Sequence, residues 1–403
     1  MRMGPDDFFH LTYCTNIHPG NGWAGVFAAV QRYAPALKAR LAPDRAFGIG
    51  LRLSGVESTE LLEGDHLQQF AAFLHEHDLY VFTLNGFPHG PFHGQPVKAA
   101  VHAPDWRDEE RVQYTLRLIR ILASLLPEGL DGGISTSPLS YKPWVDVGDT
   151  ALWERVTRNI VRVAEALVQV KQEQGKLIHL DIEPEPDGLL ADNAEVIQFY
   201  TRCLLDDGAR MLASSLEGTI DEARGHIREH IRVCLDTCHM AVAYEEPARV
   251  LDRFSELGIK VGKVQISSAL AVLFSQDETE RAELARALRP FAESTYLHQV
   301  IQQNRDGAIE RYPDLIDALP HIQDRRIAQW RIHFHVPIFI DHFTAFGSTQ
   351  ATIEAMLHLL AQRRFSRHLE IETYTWSVLP GDLKRDLLDS ITREFAWVLD
   401  GGL

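Results

Sequence analysis

The stretch Leu177-Ile178-His179-Leu180-Asp181-Ile182-Glu183-Pro184-Glu185-Pro186 reads as a short β-like run whose carboxyl end is built from metal-ligand residue types. A second such run, Arg232–Asp236, leads into Asp236-Thr237-Cys238-His239. Outward from these two, like runs occupy Phe9–Asn16, Phe47–Ser54, Leu79–Asn85, Gly132–Ser137, Gly262–Ser267 and His368–Thr373. Apolar residues recur with helical spacing between them, over Trp23–Leu41, Thr59–Glu76, Glu109–Leu126, Trp153–Val170, Glu195–Leu212, Ala248–Leu257, Thr352–Gln362 and Leu383–Leu399. Ser348 stands as a helix N-cap, Pro247 in a first helical turn, and Gly175 just past a helix end. Regular strand and helix alternation means a parallel sheet with crossover helices. Eight repeats without a glycine-rich dinucleotide fingerprint after the first strand favour a closed α/β (β/α)8 TIM barrel, residues 1–403 as one domain, over an open doubly wound sheet.

One interval breaks the rhythm. Between the seventh strand and the helix near Ser348 the chain is far longer than a barrel loop requires. Within it Ala269–Phe291 reads as helical, Tyr296–Arg311 as two short strands around Asn304-Arg305-Asp306-Gly307, and Arg331–Ile340 as an apolar strand-like run. An inserted subdomain over residues 268–330, leaving from the carboxyl end of a barrel strand, is expected over the active-site mouth as lid, substrate wall or interface element, a homodimer contact included.

Composition narrows the function. The 403 residues are 45% hydrophobic and 24% charged, an ordinary globular balance. Acidic residues outnumber basic ones 56 to 40, for a formal charge of −16, which disfavours nucleic acid and anionic membrane as partners. The start, Met1 to Phe9, lacks the apolar stretch of a signal peptide, and nothing resembles a run of about 18 apolar residues, so a cytoplasmic protein without membrane insertion is expected. Four cysteines form no disulfide framework; Cys14, Cys203 and Cys234 read as small core residues, and Cys238 as core or, less simply, a soft ligand.

Barrel enzymes place reactive groups where strands end, and acidic residues recur at that level in strands five, six and eight: Glu183, Asp236 and Glu372. Buried carboxylates cost several kcal/mol unless paired or coordinated, so three in one funnel call for a divalent cation. Oxygen ligands with Gln265 suit Mn²⁺ or Mg²⁺, while His239 and His335 shift the preference toward Zn²⁺ or Mn²⁺, with Co²⁺ also compatible. Simpler readings exist: Asp236 as a helix N-cap, Glu183 and Glu185 around a surface proline turn, and His239, His333 and His335 as ordinary half-buried histidines. For substrate contacts the candidates are His18, Trp23, His89, His93 and Lys142 on the rim, with His298, Arg331 and His333 from the insertion.

The run Cys234-Leu235-Asp236-Thr237-Cys238-His239, with the Glu183 and Glu372-Thr373 strand ends, resembles the xylose-isomerase-like barrels, among them sugar epimerases and barrel-type apurinic endonucleases. More closely, Leu11-Thr12-Tyr13-Cys14-Thr15-Asn16-Ile17-His18-Pro19-Gly20, Asn85-Gly86-Phe87-Pro88, Ser137-Pro138-Leu139-Ser140-Tyr141-Lys142 and Tyr296-Leu297-His298-Gln299-Val300 resemble the EboE family over nearly the whole chain. That resemblance implies a place in small-metabolite biosynthesis or export. It also implies that Glu183 and Glu372 bind metal and shuttle protons, as the paired glutamates of the epimerases do. Gln265 departs from the pattern, standing where those enzymes usually show a histidine.

The leading expectation is a metal-dependent isomerase or epimerase for a sugar, a cyclitol or a phosphate ester of either, with Glu183 and Glu372 as catalytic acid and base. The rivals are a metal-dependent phosphoesterase or endonuclease-like hydrolase and a non-catalytic metabolite-binding or carrier barrel.

Overall fold

Parallel strands cannot be joined by tight turns, so each needs a crossover that packs on the sheet. The computed structural model, which describes residues 1–94, 96–343, 345–379 and 386–401, supplies them. In chain order the strands are β1 (Arg2–Met3), β2 (Phe9–Tyr13), β3 (Phe47–Arg52), β4 (Leu79–Asn85), β5 (Gly132–Thr136), β6 (Ile178–Ile182), β7 (Ile231–Asp236), β8 (Val261–Ile266), β9 (Ser268–Leu273), β10 (Val300–Asn304), β11 (Ile309–Tyr312), β12 (Ile327–Val336), β13 (Gly347–Ser348) and β14 (His368–Ile371). One sheet runs β1-β2-β14-β8-β7-β6-β5-β4-β3, with every pair from β2 to β3 parallel and the short β1 antiparallel on β2. A parallel bridge between Cys14 and Gly50 closes it into a barrel.

Closure depends on missing side chains. A Cβ on Gly50 would collide with the Glu370 carboxylate and stand 2.8 Å from the Tyr13 carbonyl oxygen, so only glycine lets β3 approach β2 here. Gly262 makes the same room for the Asp181 carboxylate. Across the seam Thr12 donates to the Gly48 carbonyl at 2.9 Å, and the Arg52 amide donates to Thr15 Oγ1 at 2.8 Å.

The apolar core lies between strands and outer helices, where Val30, Leu118, Ile160, Leu360 and Phe395 are wholly buried. No helix among the described residues is long and apolar enough to cross a membrane. The helical stretch expected over Thr59–Glu76 is instead two helices, Gly55–Glu60 and His66–Glu76. A Ser54–Glu57 capping box starts the first early, and Gly64 at φ +55 breaks the chain before the second. The last helix is Leu387–Asp400; the expected start at Leu383 lies outside the described residues. Thr349, not Ser348, occupies the N-cap of Gln350–Arg363, although Ser348 Oγ still accepts from the Gln350 amide at 3.3 Å.

A second, antiparallel sheet, β11-β10-β12-β9-β13, occupies the interval between β8 and β14. Ser268–Leu273 is a strand where helix was expected, and only Glu278–Leu288 of that stretch is α-helical. Pairing of β9 with β12 and β13 overrides the local helix preference of its Ala and Leu residues. β12 begins at Ile327, earlier than expected, and stops before Pro337, which has no amide hydrogen to donate.

Inside the barrel, one layer below the mouth, Lys263 Nζ lies 2.7 Å from Glu370 Oε2 and 3.2 Å from Ser135 Oγ, with both charged side chains fully buried. Lys263→Met is expected to leave Glu370 buried and unpaired, costing about 3–5 kcal/mol in urea unfolding. Adding Glu370→Leu should restore most of that loss; an unchanged midpoint in the single variant would contradict the pairing.

Candidate metal centre

Strand alternation points His179 and Asp181 of β6 and His368 and Glu370 of β14 into the barrel, and the same alternation carried one step past each carboxyl end delivers Glu183 and Glu372. Glu183, Asp236 and Glu372 are 2%, 1% and 5% exposed. One carboxylate oxygen of each lies within 4.8 Å of the others.

Their hydrogen bonds leave oxygens free. Asp236 Oδ1 caps the short helix Thr237–Val242, accepting from the amides of Cys238 at 2.7 Å and His239 at 3.1 Å and from Ser267 Oγ at 2.5 Å. Its Oδ2 has no partner and sits 4.0 Å from Nε2 of both His239 and His335. Asp236 is therefore an N-cap with one oxygen and a free donor with the other. Glu372 Oε1 accepts from Asn16 Nδ2 at 2.8 Å and Asn85 Nδ2 at 2.9 Å. Glu183 Oε2 has no partner.

Three imidazoles complete the arrangement. His239 Nδ1 donates to the Pro184 carbonyl at 3.1 Å, His333 Nδ1 to Gln299 Oε1 at 2.8 Å, and His335 Nδ1 to the Glu372 carbonyl at 2.5 Å. With the hydrogen placed on Nδ1 by those acceptors, each Nε2 carries a lone pair. Yet Nε2 of His239 and Nε2 of His333 face each other at 3.2 Å, and Nε2 of His335 has no partner. Two lone pairs that close repel unless a proton or a metal ion lies between them.

The ionisation pattern has the same cause. Burial, then repulsion from Glu372 and Asp236, holds the Glu183 carboxyl well above the usual range. Burial, then Asp236 and Glu370, does so for Glu372. Burial opposes ionisation of Asp236 too, but His239, His335 and the bonds from Ser267 and the His239 amide hold it below that range. Burial keeps His333 and His335 neutral, and burial with the nearby carboxylates keeps the Cys238 thiol protonated. Unpartnered Glu183 Oε2, Asp236 Oδ2 and His335 Nε2 thus form a donor set of mixed carboxylate and imidazole character, which fits Mn²⁺ or Zn²⁺.

The barrel cavity above this set encloses about 60 Å³. Asn16, Asn85, Glu185, Gln299, Tyr296 and Tyr374 share its walls with Glu183, Glu372 and the three histidines, while Asp236 lies behind them. Asn16 and Asn85 were not among the expected site residues, although their position just past β2 and at the end of β4, where barrels carry function, was a signal for them.

Other candidates fall elsewhere. Gln265 is fully buried below the acids, its Oε1 accepting from Cys234 Sγ at 3.3 Å, and is not part of the cavity wall. His18 bonds Tyr13 Oη at 2.9 Å and stacks on Tyr33. Trp23 is core, packed on Phe27 and Phe70. His89 pairs with Glu110 at 3.3 Å. Lys142 binds Glu195 at 2.8 Å in a separate cleft beside Trp153 and Phe199. His298 lies between Glu293 and Asp314, and Arg331 sits over the Tyr244 ring. His93 stays close, touching the Asn16 carbonyl and Tyr296 Oη, and His333 turns its Nε2 toward His239.

No protein-family model and no curated protein matches the chain. A xylose isomerase-like TIM barrel protein from Mycobacterium smegmatis in complex with magnesium aligns over 99% of this chain and 98% of its own, with TM-score 0.52 and 10% identity. The probable 3-DHS dehydratase AsbF from Bacillus anthracis aligns over 96% and 97%, with TM-score 0.47 and 11% identity. The IOLI protein with a binding zinc atom aligns over 98% and 99%, with TM-score 0.45 and 11% identity. The chain has the xylose isomerase-like TIM barrel fold.

Proposed function

We propose that this protein is a metal-dependent isomerase or epimerase of the EboE type, acting on a small polyhydroxylated metabolite. The observation that carries the reading is the convergence of Glu183, Asp236 and Glu372 from three strands, with unpartnered oxygens on Glu183 and Asp236, an unpartnered His335 Nε2 and the facing Nε2 atoms of His239 and His333. Asp236, Glu183, Glu372, His239, His335 and His333 would hold a divalent ion. When bound, that ion supplies Lewis-acid polarisation of a substrate carbonyl or hydroxyl.

The chain's own groups handle the proton. Burial, with repulsion from neighbouring carboxylates, raises both Glu183 and Glu372, which favours their protonated forms and suits them to hold and pass on a proton. Asn16 and Asn85 fix Glu372 through one oxygen. The aromatic contacts among Phe92, Tyr296 and Tyr374 exclude water on that side. Because a ligand pocket usually has about 300 Å³ or more, substrate entry requires this wall to yield. The wall's ammonium, Lys98, is already paired with Asp314 at 2.6 Å, so an uncharged polyol or ketose suits this acidic cavity better than a phosphate ester.

The histidine count favours one rival. Asp236 is shared by the acidic set and by the set with His239 and His335, an arrangement able to hold two ions as metal-dependent hydrolases do. Elemental analysis of intact protein against Asp236→Ala separates the readings. A difference of one metal per chain is expected for the isomerase, two or more supports the hydrolase, and no difference removes both.

Glu183→Gln and Glu372→Gln should each lower turnover of ketose or cyclitol substrates by about 10²-fold or more, with circular dichroism unchanged. Full turnover in both variants would remove the acid and base assignment.

A further inference from the structure

A separate cluster lies at the opposite end of the barrel. The helix Ile220–His230 carries His226, Glu229 and His230 in its last turns, and spacings of three and four residues put all three on one face. One ligand atom of each lies within 4.8 Å of the others. His230 directly precedes β7, so the cluster sits at the amino ends of the strands, away from the acids at the mouth.

His230 is wholly buried, and its Nδ1 donates to the carbonyl of Ile178, the first residue of β6, at 2.7 Å. That bond leaves a lone pair on Nε2, which has no hydrogen-bond partner and faces Glu229 Oε2 at 3.6 Å. A buried lone pair opposite a carboxylate oxygen is repulsive unless a proton or a metal ion joins them, and burial, which lowers His230 to about 4, disfavours the proton. Glu229 is held by Lys171, which takes its other oxygen at 2.7 Å and leaves Oε2 toward the imidazoles. The half-buried His226 ring stands 6.4 Å from the His230 ring, closing the third side. The helix dipole places its negative end at this last turn, which favours a cation there.

We infer that His226, Glu229 and His230 form a second divalent-metal site, distinct from the centre at the barrel mouth. Two imidazoles and one carboxylate select zinc or a neighbouring transition ion over magnesium or calcium, with water completing the shell. The ion ties the helix end, through His230 and Ile178, to the base of β6 and β7. It is structural: no cavity residue of the mouth contributes to it. The Lys171 ammonium weakens cation binding, so the site fills from added zinc and empties under chelators.

The test compares chelator-stripped wild type with His226→Ala, a half-buried position whose loss spares the core, by equilibrium dialysis against zinc chloride. His226→Ala should bind one zinc fewer per chain, and the zinc-dependent rise in melting temperature should shrink. Glu229→Gln, which keeps the side-chain shape, should reproduce the loss. Equal zinc content in wild type and both variants would overturn the site. Failure of the mouth to bind metal would lower all three proteins equally and leave the difference of one intact.

Discussion

Like charges converging in a water-poor barrel mouth are the constraint around which this structure is organised. Glu183, Asp236 and Glu372 arrive from three strands with less than a tenth of their surface exposed, and their mutual repulsion adds to the cost of burial. Such an arrangement persists only with compensation. Part comes from the amide caps and Ser267 on Asp236, part from Asn16 and Asn85 on Glu372. The unsatisfied remainder is Glu183 Oε2 and Asp236 Oδ2, the latter 4.0 Å from Nε2 of both His239 and His335.

The barrel interior continues this polar design downward. Beneath the acids lies the Lys263–Glu370 pair, and beneath that His179 bonds Asp181 at 2.6 Å. Glu370, His179 and Asp181 occupy alternate positions of the strands that deliver Glu183 and Glu372, and Lys263 reaches Glu370 from β8, so stability and site geometry share the same backbone. The second sheet contributes in turn. His333 and His335, two residues apart on β12, project from it toward His239, which belongs to the helix capped by Asp236.

Much of this was legible in the chain. Alternation and turn punctuation located all eight barrel strands, because parallel strands flanked by helices leave a strong periodic signal. Acidic strand ends were legible for the same reason, since barrel topology brings strand ends together whatever their sequence separation. Rim residues were not: Trp23, Lys142 and His89 sit on loops or helix starts whose direction depends on packing, and each found a local partner instead. β9 was hidden because its partners lie far along the chain. Gln265 aligned by strand position, but its amide turned to Cys234 below the acids.

A cation shared by these side chains has a definite place. Anomalous diffraction at the metal edge, from crystals grown with manganese or zinc, locates it directly. A peak within bonding distance of Glu183, Asp236 and Glu372 at once is the expected result. An empty mouth at saturating metal, with the three carboxylates still facing one another, would contradict the shared-cation explanation for their burial.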